Sequence, residues 1–466
     1  MADKRSEYVS SVASSEALQL YNEAVELFVN HKGSFIDLVK RAVEIENDFI
    51  LARCLLGCML CDVYSVPNPT EVKMHLDVVN ECYPKANDRE KLHIQTFREA
   101  SLGHIKKATE ILDQITMRYP QDFHAVKLSF LYYKSTGEFI RMRNILSRAV
   151  THCPKEDPLY PHLLSQYAFS LEETNERQYA EELCRESLTL QPINPWASHT
   201  MAHIIEETKD PQKGVDFLCS TQEDWNKTPY AFHLLWHLSL YYLDLGQSDK
   251  VLDVFDAKMV PLLSKSSPVF YLVDLASLLW RLNLLNIDPD EKRWQVILDT
   301  YRSKIGVFSH SWVNAHLMMS LCYGKVTADT ARLALANQVI QSMEVYSKES
   351  VSSDCSVADL LGVPVCNALL AYGQEKYDEV LSLMLPLRYD FIKFGGSWAQ
   401  RQVFELTIIM AAIKANDLSQ ALALIIELKS QKPHNKMLES LYRRVLDESR
   451  LRIGVKTLNG TAAIET

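Results

Sequence analysis

Apolar residues in this chain recur at intervals of three and four, as at Ala24, Leu27 and Phe28 or at Leu418, Ala421, Leu422 and Ile425. That spacing lays an apolar stripe along one side of an α-helix. Alternation with period two, the mark of a half-buried strand, is nearly absent. The pattern therefore predicts an all-α chain. Helices are expected at about 14–30, 34–46, 48–64 and 70–80. Between the last two, SVPNPT at 65–70 carries two prolines that interrupt any helix.

A longer period appears further on. Gly103, Ala108, Leu112 and Pro120 are followed, 34 residues later, by Gly137, Met142, Leu146 and Pro154. Ala180, Cys184, Ser187 and Pro192 form a third copy after a loop four residues longer. The glycine makes a turn between two helices, small residues let them pack, and the proline stops the second helix. Looser copies are expected at about 195–228, 232–265, 268–304, 310–345, 359–393 and 398–432, the last with Ala412, Ala421, Ile425 and Pro433 in order. This period resembles the tetratricopeptide repeat (TPR). The resemblance implies a right-handed solenoid of helical hairpins, long enough here to curl. Residues 14–451 would form one such unit, with disordered tails at 1–13 and 452–466.

Whole segments narrow the resemblance. SHTMAHIIE, FHLLWHLSLYYLDLG, VDLASLLWRL, VNAHLMMSL and FGGSWAQRQVF occur in this order on the repeat background. In these the chain is similar to the tetratricopeptide repeat protein 38 family. That resemblance implies an architecture; it carries over no reaction and no catalytic residue.

Composition removes several functions. The formal net charge is -10, and no run of lysine and arginine offers the basic surface that nucleic acid requires. No stretch reaches the roughly 20 apolar residues of a membrane span, and the polar start MADKRSEYVSS has no apolar core like that of a secretory signal. The ten cysteines are scattered, several in apolar helical contexts, and read as reduced core residues of a cytoplasmic protein. Cys54, Cys58 and Cys61 match a CxxxCxxC iron–sulfur spacing. Their apolar, helical surroundings instead make them one buried helix face.

The candidate chemistry lies in two consecutive helices. His199 and His203 sit four apart on the first, with Glu206 three further on; His233 and His237 sit four apart on the second. Residues so spaced share a helix face. Fourteen histidines would give about 0.4 such pairs by template counting, and two occur on neighbouring helices. In the TPR resemblance His199, His203 and Glu206 fall on the first helix of a pair, which lines the concave groove and touches ligands. Imidazoles at this spacing, with a carboxylate one turn on, could hold a divalent metal. Without metal they could act as acid and base or bind an anion. The plain alternative is a set of histidines hydrogen-bonded between packed helices.

Three further features stand out. Asp274 and Arg281 lie two turns apart in an otherwise apolar helix, where each needs a partner: an ion pair, or an anion held by Arg281. His316 sits in another apolar first helix and could join the histidines if the solenoid curls. Gly395-Gly396-Ser397 opens a helix with Gln400 and Arg401 one turn in, which could bind an anion at the helix N-terminus or be an ordinary cap.

The leading expectation is a binding scaffold whose concave face takes a peptide or a small anionic ligand, with no cofactor. The alternative is an enzyme, such as a metal-dependent hydrolase, whose curled solenoid encloses the histidines with Arg281, His316 and the Ser397–Arg401 segment. His203 or His237 would then be the base, Glu206 its orienting partner or a metal ligand, and Arg401 an anion clamp. The alternatives differ in geometry: an open groove for the scaffold, a single enclosed cavity for the enzyme.

Overall fold

The computed structural model describes residues 11–461, apart from 32, 34, 62–67, 265–266, 309, 350–351 and 353, with side chains through residue 451. The described residues contain helices and no strand. The first pairs are α1 (Ser15–Val29) with α2 (Phe35–Ile45), α3 (Ile50–Leu60) with α4 (Pro69–Cys82), and α5 (Asp88–Ser101) with α6 (Ile105–Arg118). Next come α7 (Phe123–Thr136) with α8 (Phe139–His152), α9 (Tyr160–Glu172) with α10 (Arg177–Leu190), and α11 (Pro195–Thr208) with α12 (Pro211–Ser220). A short α13 (Gln222–Trp225) precedes α14 (Ala231–Asp244) and α15 (Ser248–Val254), then α16 (Val269–Leu284) with α17 (Glu291–Tyr301), and α18 (Ser311–Cys322) with α19 (Thr330–Glu349). After α20 (Asp354–Val357) come α21 (Val363–Gly373) with α22 (Tyr377–Met384), α23 (Trp398–Lys414) with α24 (Leu418–Gln431), and the closing α25 (Lys436–Thr461). Each first helix packs on its partner, and along α9, α11, α14, α16, α18 and α21 each first helix also packs on the next, which makes a TPR-like solenoid of helical hairpins.

At several turns of the period the residue changes while the backbone does not. Gly103, Gly137 and Gly246 turn with positive φ between the helices of their pairs, and Asn175, Asn286, Glu375 and Asn416 take up the same left-handed conformation in theirs. Asparagine tolerates that region with its short polar side chain. Helix starts are equally local. Asn87 and Glu90 form a capping box on α5, and the side chains of Asp122, Asn194 and Asp417 cap α7, α11 and α24.

The two helices of a pair differ in burial. Along α11 every residue from Pro195 to Glu207 is buried, whereas α12 buries only Pro211, Gly214, Val215 and Leu218. The second helices form an outer layer, and from α7 to α23 the first helices are covered on both sides. The inner face is covered because the solenoid closes on itself. Trp280 Nε1 of α16 donates to Thr407 Oγ1 of α23 at 3.0 Å, and Arg401 of α23 reaches Glu173 at 3.1 Å. Where the turn after α7 meets the loop before α23, Gly137 abuts the Ile392 carbonyl and Gly395 the Ser135 carbonyl. Both glycines have positive φ, and a Cβ on either would overlap a backbone oxygen.

Two expectations change. The last helix, α25, is described to Thr461, within the span expected as a tail; the expected tail residues 1–10 and 462–466 lie outside the described residues. The continuous stretch Asp354–Gly373 is long and apolar enough to cross a membrane by length and composition, contrary to the reading of the sequence. It packs against α18 and α19 and is more than half buried, as a core helix is.

Candidate functional site

The sequences leading into α11 and α14 are alike, Pro195-Trp196-Ala197 and Pro229-Tyr230-Ala231, although only α11 has a side-chain cap. Asn194 accepts the Ala197 N–H at 3.2 Å and Pro195 fixes the first turn of α11. An aromatic residue precedes each histidine pair by three: Trp196, in the first turn of α11, before His199 and His203, and Tyr230, just ahead of α14, before His233 and His237. Packed side by side, the two helices bring all four imidazoles together. One nitrogen from each lies within 4.8 Å of the other three. His199 Nε2 and His203 Nε2 are 3.0 Å apart, and the His203 and His237 rings are centred 4.6 Å apart. The exposures of His199, His203, His233 and His237 are 3%, 0%, 6% and 0%.

Carboxylates back this cluster. His233 Nδ1 donates to Asp274 Oδ2 of α16 at 2.9 Å, and His237 Nδ1 donates to Glu206 Oε2 at 3.2 Å. A proton on Nδ1 leaves the Nε2 lone pair of each ring for the cluster centre. Glu172 of α9 lies 4.0 Å from His203 Nδ1. Burial holds His199, His203 and His237 below the usual histidine range, so these rings are neutral near pH 7. Burial alone would raise Glu206, but Lys432 and the His237 hydrogen bond overcome it and keep its carboxylate well below the usual range. Lys432, buried at the end of α24, pairs with Glu206 and lies 3.8 Å from Asp244.

Beside the histidines is a cavity of about 310 Å³, at the lower end of ligand-pocket sizes, ~300–1,000 Å³. His199 and His233 form part of its wall. Tyr132, Phe169, Trp196, Tyr230, Phe270 and Trp312 contribute aromatic rings, with Cys58, Lys134, Ser397 and Gln400 among the remaining lining groups. Among the described residues no aspartate or glutamate lines it. Lys134 Nζ sits 5.6 Å from the Trp196 ring centre. Trp196 Nε1 and His199 Nδ1 are buried and have no hydrogen-bond partner among the described residues.

The other expected site residues divide. Ser397 and Gln400 form a capping box on α23 and border the cavity. Arg401 does not face it: its guanidinium bonds the Gly396 carbonyl and Glu173. Glu173 Oε1 also accepts the Trp398 N–H at 2.7 Å, so an internal carboxylate already occupies the anion position expected at this helix start. Asp274 and Arg281 are not paired with each other. Asp274 holds His233, while Arg281 donates to the Ala399 carbonyl at 2.9 Å and the Ser277 carbonyl at 3.2 Å. Burial lowers Arg281 to about 10, partly offset by Glu206, Asp244 and Asp274. His316 donates from Nδ1 to the Trp312 carbonyl at 2.8 Å and packs on Trp312 and Phe404. Arg281, His316 and Arg401 line no part of the cavity. The open groove expected on the concave face is filled as well, since these first helices are apolar almost all round and bury both faces.

Several participants escaped the sequence reading. Lys134 and the cavity aromatics had no marker except the three-residue step from Trp196 and Tyr230 to the histidines. Lys432 lies 226 residues from Glu206. A second buried network joins Arg89 and His93 to Asp122 at 2.6 and 2.8 Å, with Tyr21 on His124 at 2.9 Å. Asp122 is also the cap of α7, so this network ties α1, α5 and α7 together. The three cysteines Cys54, Cys58 and Cys61 are buried free thiols, and burial pushes Cys61 up to about 12.

No protein-family model matches the chain. Among solved structures it is similar to yeast Tom70, at 14% identity and a TM-score of 0.33 over 100% of both chains. The fold assignment rests on the helix pairs themselves.

Proposed function

We propose that this chain is a TPR-like scaffold that binds one small ligand inside its closed solenoid, in the cavity between α7, α11, α14 and α23. The carrying observation is the lining: six Phe, Tyr and Trp rings, one lysine, two histidines and, among the described residues, no carboxylate, in a chain of net charge -10. Such a wall favours a flat apolar body with an anionic group directed at Lys134. An extended peptide is disfavoured on the inner face because the first helices are buried there. The protein would work in the cytoplasm with its ten cysteines reduced, and we place it in the tetratricopeptide repeat protein 38 family on the segments named above.

The test is a thermal-shift and equilibrium-dialysis panel of aromatic carboxylates, matched aromatic amines and neutral analogues. The acids are expected to bind and raise Tm. Lys134→Met is expected to weaken them roughly tenfold, as loss of a charged hydrogen bond would. Equal binding of amines and acids, unaffected by the Lys134 change, would refute the reading.

A further inference from the structure

The four imidazoles face one another with more lone pairs than protons. His233 and His237 each commit Nδ1–H to a carboxylate, which leaves Nε2 as the lone-pair nitrogen of each ring. His237 Nε2 is fully buried and has no hydrogen-bond partner among the described residues. His203 and His199 bring two more Nε2 atoms to 3.0 Å of each other, with neither Nδ1 hydrogen-bonded. At most one proton can sit between that pair. Buried lone pairs converging on one point repel unless something electron-poor lies there.

We infer that His199, His203, His233 and His237 form a binding site for a divalent first-row transition metal, with Asp274 and Glu206 orienting two of the rings. The spacing suits it. Metal–nitrogen bonds of ~2.0–2.1 Å in a tetrahedron place the nitrogens ~3.3 Å apart; the described nitrogens lie within 4.8 Å of one another, the nearest pair at 3.0 Å. An all-imidazole donor set selects zinc, iron, nickel or copper over magnesium and calcium, which prefer oxygen. The carboxylate–histidine pairs fix the tautomer that a metal requires. They also place two negative charges one step outside the ion. The first ring of each pair, His199 and His233, also walls the cavity. A ligand there could thus approach the metal, but the metal site itself does not rest on the cavity having a ligand.

The test uses the full-length, tag-free protein, stripped with a chelator and titrated with zinc(II) alone against a competing chelator. Cobalt(II) serves as the spectroscopic probe. We expect one equivalent of zinc per chain and cobalt(II) visible bands typical of nitrogen ligation. His203→Gln/His237→Gln should lower zinc affinity at least 100-fold, and Asp274→Asn should lower it ~10–100-fold with all four histidines intact. Should the double variant fail to fold by circular dichroism, Asp274→Asn and the cobalt spectrum decide the matter. Zinc bound equally well by wild type and variants, or no zinc bound by the folded wild type, would overturn the site. Aromatic-acid binding measured on the stripped protein stays a separate readout, so failure of the metal site leaves the cavity proposal standing.

Discussion

At the scale of single residues, burial decides what each ionisable group is for. His316 looked like a possible fifth member of the histidine set. Its neighbours are Trp312 and Phe404, and burial pulls it down to about 3 despite the bond to the Trp312 carbonyl. A histidine depressed when folded contributes full stability above its unfolded value near 6.5 and loses it as pH falls toward 3, because the unfolded chain takes up the proton first. His316→Met should therefore flatten acid unfolding. Relative to wild type, the variant should gain roughly 2 kcal/mol between pH 7 and pH 5, read from urea curves on stripped protein. An unchanged difference at the two pH values would mean that His316 is not buried as described. The histidine stripes themselves were legible, since i and i+4 share a helix face. Their partners were not: nothing local to Glu206 announces Lys432, and nothing local to Asp274 shows that it serves His233 instead of Arg281.

At the scale of elements, the helices were readable because their causes are local. Periodicity, caps and prolines lie within one turn of the residues they govern, and the expected pairs from 195 to 432 match the observed ones closely. At the turns held by Asn175, Asn286, Glu375 and Asn416 another residue takes a glycine's conformation, so the glycine marker of the repeat is lost there. Glycines at such turns are not equivalent. Gly246 has φ 75 with nothing within reach of a Cβ, whereas Gly395 has φ 73 and sits against the Ser135 carbonyl. Gly246→Ala should cost only the strain of a left-handed residue, ~1–2 kcal/mol. Gly395→Ala adds a backbone clash at the closure and should cost clearly more, measured by chemical denaturation of both variants. Equal losses would show that the closure yields easily.

At the scale of the whole molecule, closure separates this solenoid from an open repeat array. In an open array each pair contacts only its neighbours, and a terminal pair can be removed with local effect. Here the last pairs complete the interior: Arg401 meets Glu173, Lys432 meets Glu206, Thr407 meets Trp280 and Arg281 meets Ala399. A chain ending at residue 397 would leave Glu206 and Glu173 without their cations and uncover the first helices. It should lose cooperative unfolding and become protease-sensitive well beyond the deleted segment. Protection confined to a normal core up to residue 397, seen by hydrogen exchange, would show that closure is dispensable.

Helix positions, pairing, the αL turns and the two histidine faces follow from contacts within about one repeat, and the sequence by itself determined them. What the inner face is like was decided only by the tertiary structure. The meeting of α7, α16 and α23 brings together residues more than 100 positions apart. It turns the expected open groove into a buried interior, fills the expected anion site with Glu173, and closes the aromatic cavity beside four converging imidazoles. The reason is curvature. Small rotations between successive pairs accumulate along the chain, and no single repeat encodes where their sum brings the ends of the solenoid.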